Sequence, residues 1–186
     1  MILHCYTPNI RENDQAHCWR ALAQLSRYTV THVEMTDVFS YSLAVQKAWD
    51  VDGDLLIVEQ DMAPTVTMID TLFDCREHAC SQAYWLAPAS SGALYPFYSG
   101  IGLSGHRIIF GEEWARSSGM GLIRLSREVR ERMGRPDLCH FAQLDGQISV
   151  RLAGSGMHWH MHWPVCPHYH GFMEGENARI QEASRT

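Results

Sequence analysis

The chain has 186 residues and a mass of 21.2 kDa, which suits one domain with a single core. Its composition, 46% hydrophobic and 19% charged, excludes disordered and fibrous classes, and a net charge of −6 argues against a generally basic nucleic-acid-binding protein. No apolar run approaches the roughly 18 residues of a membrane span, and the first residues lack a signal-peptide layout. We therefore expect a soluble, cytoplasmic protein.

The first third of the chain alternates between strand and helix patterns. A short apolar strand over MILHCYTPN precedes a helix from about Gln15 to Arg27, and YTVTHVEM predicts a second strand. A helix capped by Thr36 or Asp37 follows, and the continuous apolar run of residues 55–58 is typical of a strand covered on both faces. This βαβαβ order predicts an α/β fold with a mostly parallel open sheet flanked by helices, and a ligand crevice at the carboxyl ends of the strands.

The second half has a less regular pattern. We expect a helix over residues 65–73, then short strands and long loops from Ala83 to Phe110. The segments REVRERM and FAQLDGQISVRLAGSG predict helices, and MHWHMHWPV predicts a strand by its alternation. From Met173 the sequence becomes polar, so we expect one domain over residues 1–172 and a loose tail over 173–186.

The six cysteines are scattered, and reduced thiols are the expected state. Cys75 and Cys80 form the closest pair, with four residues between them. This spacing is wider than that of a usual zinc knuckle, and no second cysteine pair completes four ligands. On this reasoning no structural zinc site is expected there.

Three carboxylates are candidates for chemistry. Glu59 and Asp61 directly follow the most strand-like segment, where two acids can bind a divalent cation and a sugar hydroxyl. Acids also end strands simply because they favour turns. Asp145 lies in a late helix, where it either complements the helix dipole or acts as a general base at the rim of the crevice.

Other candidates follow from position alone. Tyr6 and Thr7 end the first strand, where they could contact a nucleotide base, and Asp37 ends the second, where it could contact a ribose. Gly119 and Gly121 would permit a close backbone approach to a ligand, or form an ordinary turn.

Five histidines crowd into residues 158–170, namely His158, His160, His162, His168 and His170. On a strand the first three share one face, and imidazole beside a carboxylate suits Mn, Zn or Fe. We expect at least one metal ligand among them, the others being packing residues. Separately, the segment Arg116–Arg135 carries six arginines against two glutamates, which indicates either a solvated helix face or a surface for phosphates.

Taken in order, VEQDMAP, GMGLIRLSREV, HFAQLDGQI and HMHWPVCPHYH resemble segments of GT-A glycosyltransferases, in particular small members from actinobacteria and their phages. The resemblance implies a GT-A-like (Rossmann-like) fold in which Asp61 binds Mn²⁺ or Mg²⁺ and Glu59 contacts the ribose or assists the metal. It favours His168 as the second metal ligand, with His162 and His170 as alternatives. Asp145 would match the base of inverting members.

The function implied is transfer of a sugar from a UDP- or other nucleotide-sugar donor to an acceptor hydroxyl. A hydroxymethylated base in phage DNA is one acceptor that the resemblance suggests, with the host cytoplasm as the location. Two alternatives stay open: a histidine-rich metal-dependent hydrolase supported by Asp61 and Asp145, and a non-enzymatic module that binds a nucleotide or nucleic acid.

Overall fold

The structure, a computed structural model, describes residues 1–8, 12–86 and 97–168; the predicted tail lies outside these ranges. Its helices are α1 (Glu12–Leu22), α2 (Ser40–Ala48), α3 (Val66–Asp74), α4 (Arg127–Met133) and α5 (Phe141–Gly154). Its strands are β1 (Ile2–Tyr6), β2 (Val30–Glu34), β3 (Leu55–Glu59), β4 (Ala79–Leu86), β5 (Phe97–Tyr98), β6 (Ile101–Gly102), β7 (Trp114–Ser117), β8 (Leu122–Leu125) and β9 (Trp159–Cys166). None of the helices in these ranges has the length and apolar character that a membrane crossing requires.

The strands form one mixed sheet in the order β2-β1-β3-β8-β4-β9-β7-β6, and β5 pairs with β4 beside this path. The β2-β1-β3 group is parallel, as is the β4-β9 pair. The pairs that involve β8, β7 and β5 are antiparallel. The expectation of a mostly parallel sheet is therefore wrong, because an apolar run predicts a strand but not its direction, and β8 enters between β3 and β4 the opposite way.

Helices cover both faces of the sheet. Leu55 and Ile57 of β3 pack in a core with α2, α4 and α5, whereas Leu56 and Val58 pack in a second core with α1 and α3. Successive side chains of a strand point to opposite faces, so an unbroken apolar run is what a central strand between two helix layers needs. The α/β layering and the two-sided burial predicted for β3 are confirmed.

Strand β4 was not recognised from the sequence over its full length, because polar residues interrupt its apolar pattern. Ser81 and Gln82 are nevertheless buried. The Ser81 hydroxyl lies 2.6 Å from that of Ser118, and the Gln82 side chain donates to the carbonyl oxygen of His162 at 3.1 Å. These partners offset the cost of burying polar groups, which a sequence pattern does not reveal.

A buried histidine lies on β1. His4 is fully buried; its Nδ1 lies 2.9 Å from Nδ1 of His32, and its Nε2 lies 3.5 Å from the Cys18 thiol. Burial, and secondarily the neighbouring His32, lower the pKa of His4 from 6.5 to about 4. The folded protein therefore keeps His4 neutral at pH values where the unfolded chain already binds a proton.

This difference makes stability depend on pH. Because the folded pKa is the lower one, stability from His4 falls as pH drops below the unfolded value of 6.5 and levels off near 4. We expect the free energy of unfolding to fall by about 2 kcal/mol more between pH 7 and pH 5 in the unaltered chain than in His4→Gln. Urea denaturation of both proteins at the two pH values measures this; an equal fall in both would contradict the assignment to His4.

Candidate functional site

The carboxyl ends of β1 and β3 lie side by side because the two strands are parallel neighbours. There the backbone N–H of Thr7 donates to the side-chain oxygen of Gln60 at 2.5 Å. The chain beyond β3 also pairs with the chain beyond β9: Met62 forms an antiparallel bridge with His168, and the Ala63 N–H donates to the Pro167 carbonyl at 2.9 Å. This pairing brings the end of the chain's last described strand to Asp61.

Asp61 and His168 meet at this point. The Nδ1 atom of His168 lies 2.6 Å from the Trp85 carbonyl oxygen, and since a carbonyl can only accept, Nδ1 carries a proton. The Nε2 atom lies 3.2 Å from Oδ2 of Asp61, and both side chains are more than nine-tenths buried. An imidazole lone pair would repel a carboxylate oxygen at this distance, so a proton or a metal cation has to lie between them.

A cavity of about 540 Å³ opens above this pair. It is lined by Cys5, Thr7, Met35, Thr36, Asp37, Val38, Tyr41, Glu59, Gln60, Asp61, Tyr84, Phe141 and His168. Its walls are mostly apolar, and its polar groups come from the ends of β1, β2 and β3, together with His168 after β9 and the hydroxyl groups of Tyr41 and Tyr84. This arrangement is typical of a small-molecule site at the carboxyl edge of an α/β sheet.

Glu59 shares the cavity with Asp61 and is only half-buried. Burial, and secondarily the charge of Asp61, raise the pKa of Glu59 to about 7. The neighbouring Tyr41 hydroxyl and the nearby His168 act on the pKa of Glu59 in the opposite direction. Two carboxylates that repel each other in a partly buried site form a set of oxygens suited to a divalent cation.

A second cavity, of about 420 Å³, adjoins the first. The two share a wall made of Tyr41, Glu59, Tyr84 and Phe141. Asp145, from the second turn of α5, lines the second cavity together with Arg107 and Gly119. The charge of Asp145 contributes to the raised pKa of Glu59, and both carboxylates raise the pKa of Tyr84, although burial is the larger cause there. The site therefore has two compartments with a carboxylate in each.

The two predicted glycines fit closely against Tyr84. A Cβ atom on Gly119 would lie 2.1 Å from the Tyr84 hydroxyl, and one on Gly121 would lie 2.8 Å from its ring and 2.9 Å from the Met62 sulfur. The Gly121 N–H donates to the Tyr84 hydroxyl at 3.3 Å, and the Gly121 carbonyl accepts from the Glu59 N–H at 2.9 Å. The close approach at these glycines is thus made by Tyr84, which sequence reasoning did not single out.

Other predicted residues lie at or beside the site. Asp37 lines the first cavity, but its Oδ1 accepts from the backbone N–H groups of Phe39 and Ser40 at 2.8 Å, which lowers the pKa of Asp37. Thr7 lines the same cavity, whereas the ring of Tyr6 stacks with His4 and its hydroxyl lies 3.5 Å from Glu34. Its ring also contacts Trp19 of α1, with ring centroids 5.3 Å apart, so the aromatic residue expected against a base is turned toward α1.

The histidines divide into separate groups. His168 lies with Asp61, and His170 lies outside the described residues. His162 is buried with His160, Cys75 and Cys80. The alternative that His162 completes a site with Asp61 stays a prediction, and in the structure the ligand atoms of His162 lie with those of His160 and the two cysteines.

Two of the six arginines in the segment Arg116–Arg135 lie inside the protein. Arg124 is buried and pairs with Asp54 at 2.7 Å, and Arg130 is buried and donates to carbonyl oxygens of residues 49, 51 and 53. Arg127 and Arg135 pair with Asp52 and Asp50. An interpretation of this segment as a phosphate surface does not fit these two arginines, because Arg124 holds loop oxygens beside β8 and Arg130 holds loop carbonyl groups beside α4.

No family model matches this chain, and no curated protein matches it either. Among solved structures it is similar to A197 from STIV, with a TM-score of 0.54 at 12% identity over 87% of this chain and 82% of that one. A Bacillus anthracis protein assigned as a glucose-1-phosphate thymidylyltransferase, solved with sucrose, gives a TM-score of 0.46 at 11% identity over 98% and 75%. At such identities the first likeness concerns the fold alone.

Tyr84 and Gly121 offer a test of the wall between the cavities. In Gly121→Ala the new methyl group would collide with the buried Tyr84 ring and Met62, so we expect the free energy of unfolding to fall by about 1–3 kcal/mol. The control is Gly146→Ala in α5, where a Cβ meets no other atom and alanine favours the helix by up to about 1 kcal/mol. Urea denaturation compares the two, and equal stabilities would refute the close packing.

Proposed function

We propose that this protein is a metal-dependent glycosyltransferase that uses a nucleotide-sugar donor. The observation that carries the proposal is the buried pair of Asp61 and His168 at the carboxyl edge of the sheet, on the floor of a cavity large enough for a ligand. The second cavity beside it supports a reaction with two substrates rather than the binding of one. A donor would occupy the first compartment and an acceptor the second.

The donor atoms fit the cation that the proposal needs. Asp61, Glu59 and Nε2 of His168 offer carboxylate oxygens and one imidazole nitrogen, a set that suits Mn²⁺ and, with fewer protein ligands, Mg²⁺. The Trp85 carbonyl accepts the hydrogen bond from His168 Nδ1–H and so orients the ring, as the hydrogen-bond partners of metal-binding histidines commonly do. Such a cation, when bound, neutralises the charge of a departing diphosphate.

The residues of the chain divide the remaining work. Thr7 and Asp37, at the ends of β1 and β2, line the part of the first cavity where a nucleoside would lie. Asp145 stands in the second cavity, where a carboxylate could accept the proton of an attacking hydroxyl group. Glu59 belongs to both cavities and so would lie near the bond that is broken.

The acceptor is proposed only as a hydroxyl-bearing molecule that fits the second cavity. A hydroxymethylated base in phage DNA remains the narrower proposal that the sequence resemblance suggests. Arg124 and Arg130 are buried, so these two arginines cannot contact a DNA backbone. A hydrolase that combines the histidine run with Asp61 and Asp145 has less support, since His160 and His162 lie with the cysteines.

The metal-binding role of Asp61 can be tested directly. With Mn²⁺ and a nucleoside diphosphate at about a hundred times its Kd, the melting temperature should rise by about 5–10 °C, because only the folded state binds. In Asp61→Asn the Mn²⁺-dependent part of this shift should vanish, since a neutral amide oxygen binds a divalent cation much more weakly than a charged carboxylate does. A panel of nucleoside diphosphates and nucleotide sugars, with and without Mn²⁺, provides the measurement.

The matched control is Asp52→Asn, an exposed acid whose side chain is 96% accessible and whose ion pair with the exposed Arg127 is of the kind that contributes little to stability. It should retain the full shift. A shift that is equally large in Asp61→Asn and in the unaltered chain would refute the proposed metal site and with it the proposed function.

Asp145 should affect turnover and not donor binding. We expect Asp145→Asn to lower the rate of sugar transfer or donor hydrolysis by about 10²–10⁴-fold, because the amide cannot accept a proton. Affinity for the nucleotide should stay unchanged, since Asp145 lies in the other compartment. Gln143→Ala, an exposed position on the same helix, serves as the control. Unchanged turnover in Asp145→Asn would exclude this residue as the base, and absence of turnover with any donor would favour a binding module.

A further inference from the structure

A second group of metal-ligating side chains lies at the other end of the sheet from the cavities. It consists of Cys75, Cys80, His160 and His162. One ligand atom from each of the four residues lies within 4.8 Å of all the others. Cys80 and His162 are buried and the other two are half-buried, so the group sits just below the surface.

The fold assembles this group from three elements. Cys80 of β4 stands opposite His160 of the parallel strand β9, and Gln82 stands opposite His162. His160 and His162 are two residues apart on one strand, so their side chains share a face. Cys75 caps the carboxyl end of α3, which packs on that same face of the sheet.

The spacing of the atoms matches a tetrahedral zinc site. With Zn–N near 2.0 Å and Zn–S near 2.3 Å, two nitrogens of a tetrahedron lie about 3.3 Å apart and two sulfurs about 3.8 Å apart. The His160 Nδ1 lies 3.2 Å from Nε2 of His162 and 3.3 Å from the Cys75 sulfur. The remaining pairs of ligand atoms lie within 4.8 Å of each other, so each pair has to close by no more than about 1.5 Å to complete the tetrahedron.

We propose that Cys75, Cys80, His160 and His162 bind one zinc ion in a closed structural site. Two thiolates and two imidazoles form a ligand set that selects zinc over the hard cations suited to Asp61. The four protein ligands fill the coordination sphere, so this ion would hold the end of α3 to β4 and β9 rather than take part in catalysis. The inference is independent of the proposed function.

The surroundings complete the site. Arg124 donates to the Cys80 sulfur at 3.4 Å and to the carbonyl oxygen of Cys75 at 3.0 Å, contacts that favour a thiolate and fix the loop between α3 and β4. On the open side, Nε2 of His160 lies 3.6 Å from a Glu113 oxygen, which leaves Nδ1 to face the metal. Carboxylates in this position orient metal-bound histidines.

The experiment begins with the unaltered protein. We expect one zinc ion per chain after purification without added metal, as measured by elemental mass spectrometry. When Co²⁺ replaces zinc, it should give the strong visible absorption of a tetrahedral site together with a thiolate-to-metal charge-transfer band. Failure to take up either metal with these properties would overturn the proposal, whether or not the glycosyltransferase proposal holds.

Variants assign the ion to these residues. Cys75→Ser and His160→Gln, at half-buried positions that should still allow folding, are expected to lose most of the zinc and, with Co²⁺, most of both absorption signatures. Cys139→Ser, a half-buried cysteine elsewhere, and Asp61→Asn should keep both. Zinc retained at one ion per chain in Cys75→Ser and His160→Gln, or lost in Asp61→Asn, would overturn the assignment.

Discussion

The candidate site depends on one short stretch of backbone pairing. The chain after β3 and the chain after β9 bridge each other at Met62 and His168, and the Ala63 N–H donates to the Pro167 carbonyl. These bonds join segments about a hundred residues apart and set a carboxylate beside an imidazole. Because the pairing satisfies backbone groups in a buried region, it holds Asp61 and His168 together before any ligand binds. Such preorganisation lets a catalytic or metal site act without rearranging its side chains when the ligand binds.

Two buried arginines, Arg124 on the central strand β8 and Arg130 on α4, hold neighbouring loops in place. Arg124 and Arg130 reach across to Asp54 and to loop carbonyl groups, where each guanidinium finds several acceptors. A buried charge without partners would be costly, but here fixed oxygens replace the lost water. Because these two arginines bind oxygens inside the protein, the net positive charge of the segment Arg116–Arg135 does not by itself indicate a surface for phosphates.

The two proposed metal sites differ in chemistry and in place. Carboxylates and one imidazole lie at the carboxyl ends of the strands, beside cavities, whereas thiolates and imidazoles lie at the amino ends, in a closed group. His160 and His168 both come from the β9 region, eight residues or roughly 26 Å of extended chain apart. The β9 region thus supplies a histidine to the proposed site at each end of the sheet. Because the two ligand sets differ in softness, the two sites would prefer different metals.

The sequence by itself determined the α/β layering, the two-sided burial of β3 and the positions of α4, α5 and β9. It also indicated Asp61, Asp145 and the histidines as candidate site residues. Both kinds of inference rest on periodicity and residue chemistry, which act over a few neighbouring residues. Only the tertiary structure decided the antiparallel entry of β8, the buried polar strand β4, the role of Tyr84 and the separation of His162 from His168. It also brought Cys75 and Cys80 to the two histidines, where cysteine spacing alone had argued against zinc. Strand direction and register arise from pairing between distant segments, and such pairing leaves no periodic trace in one chain.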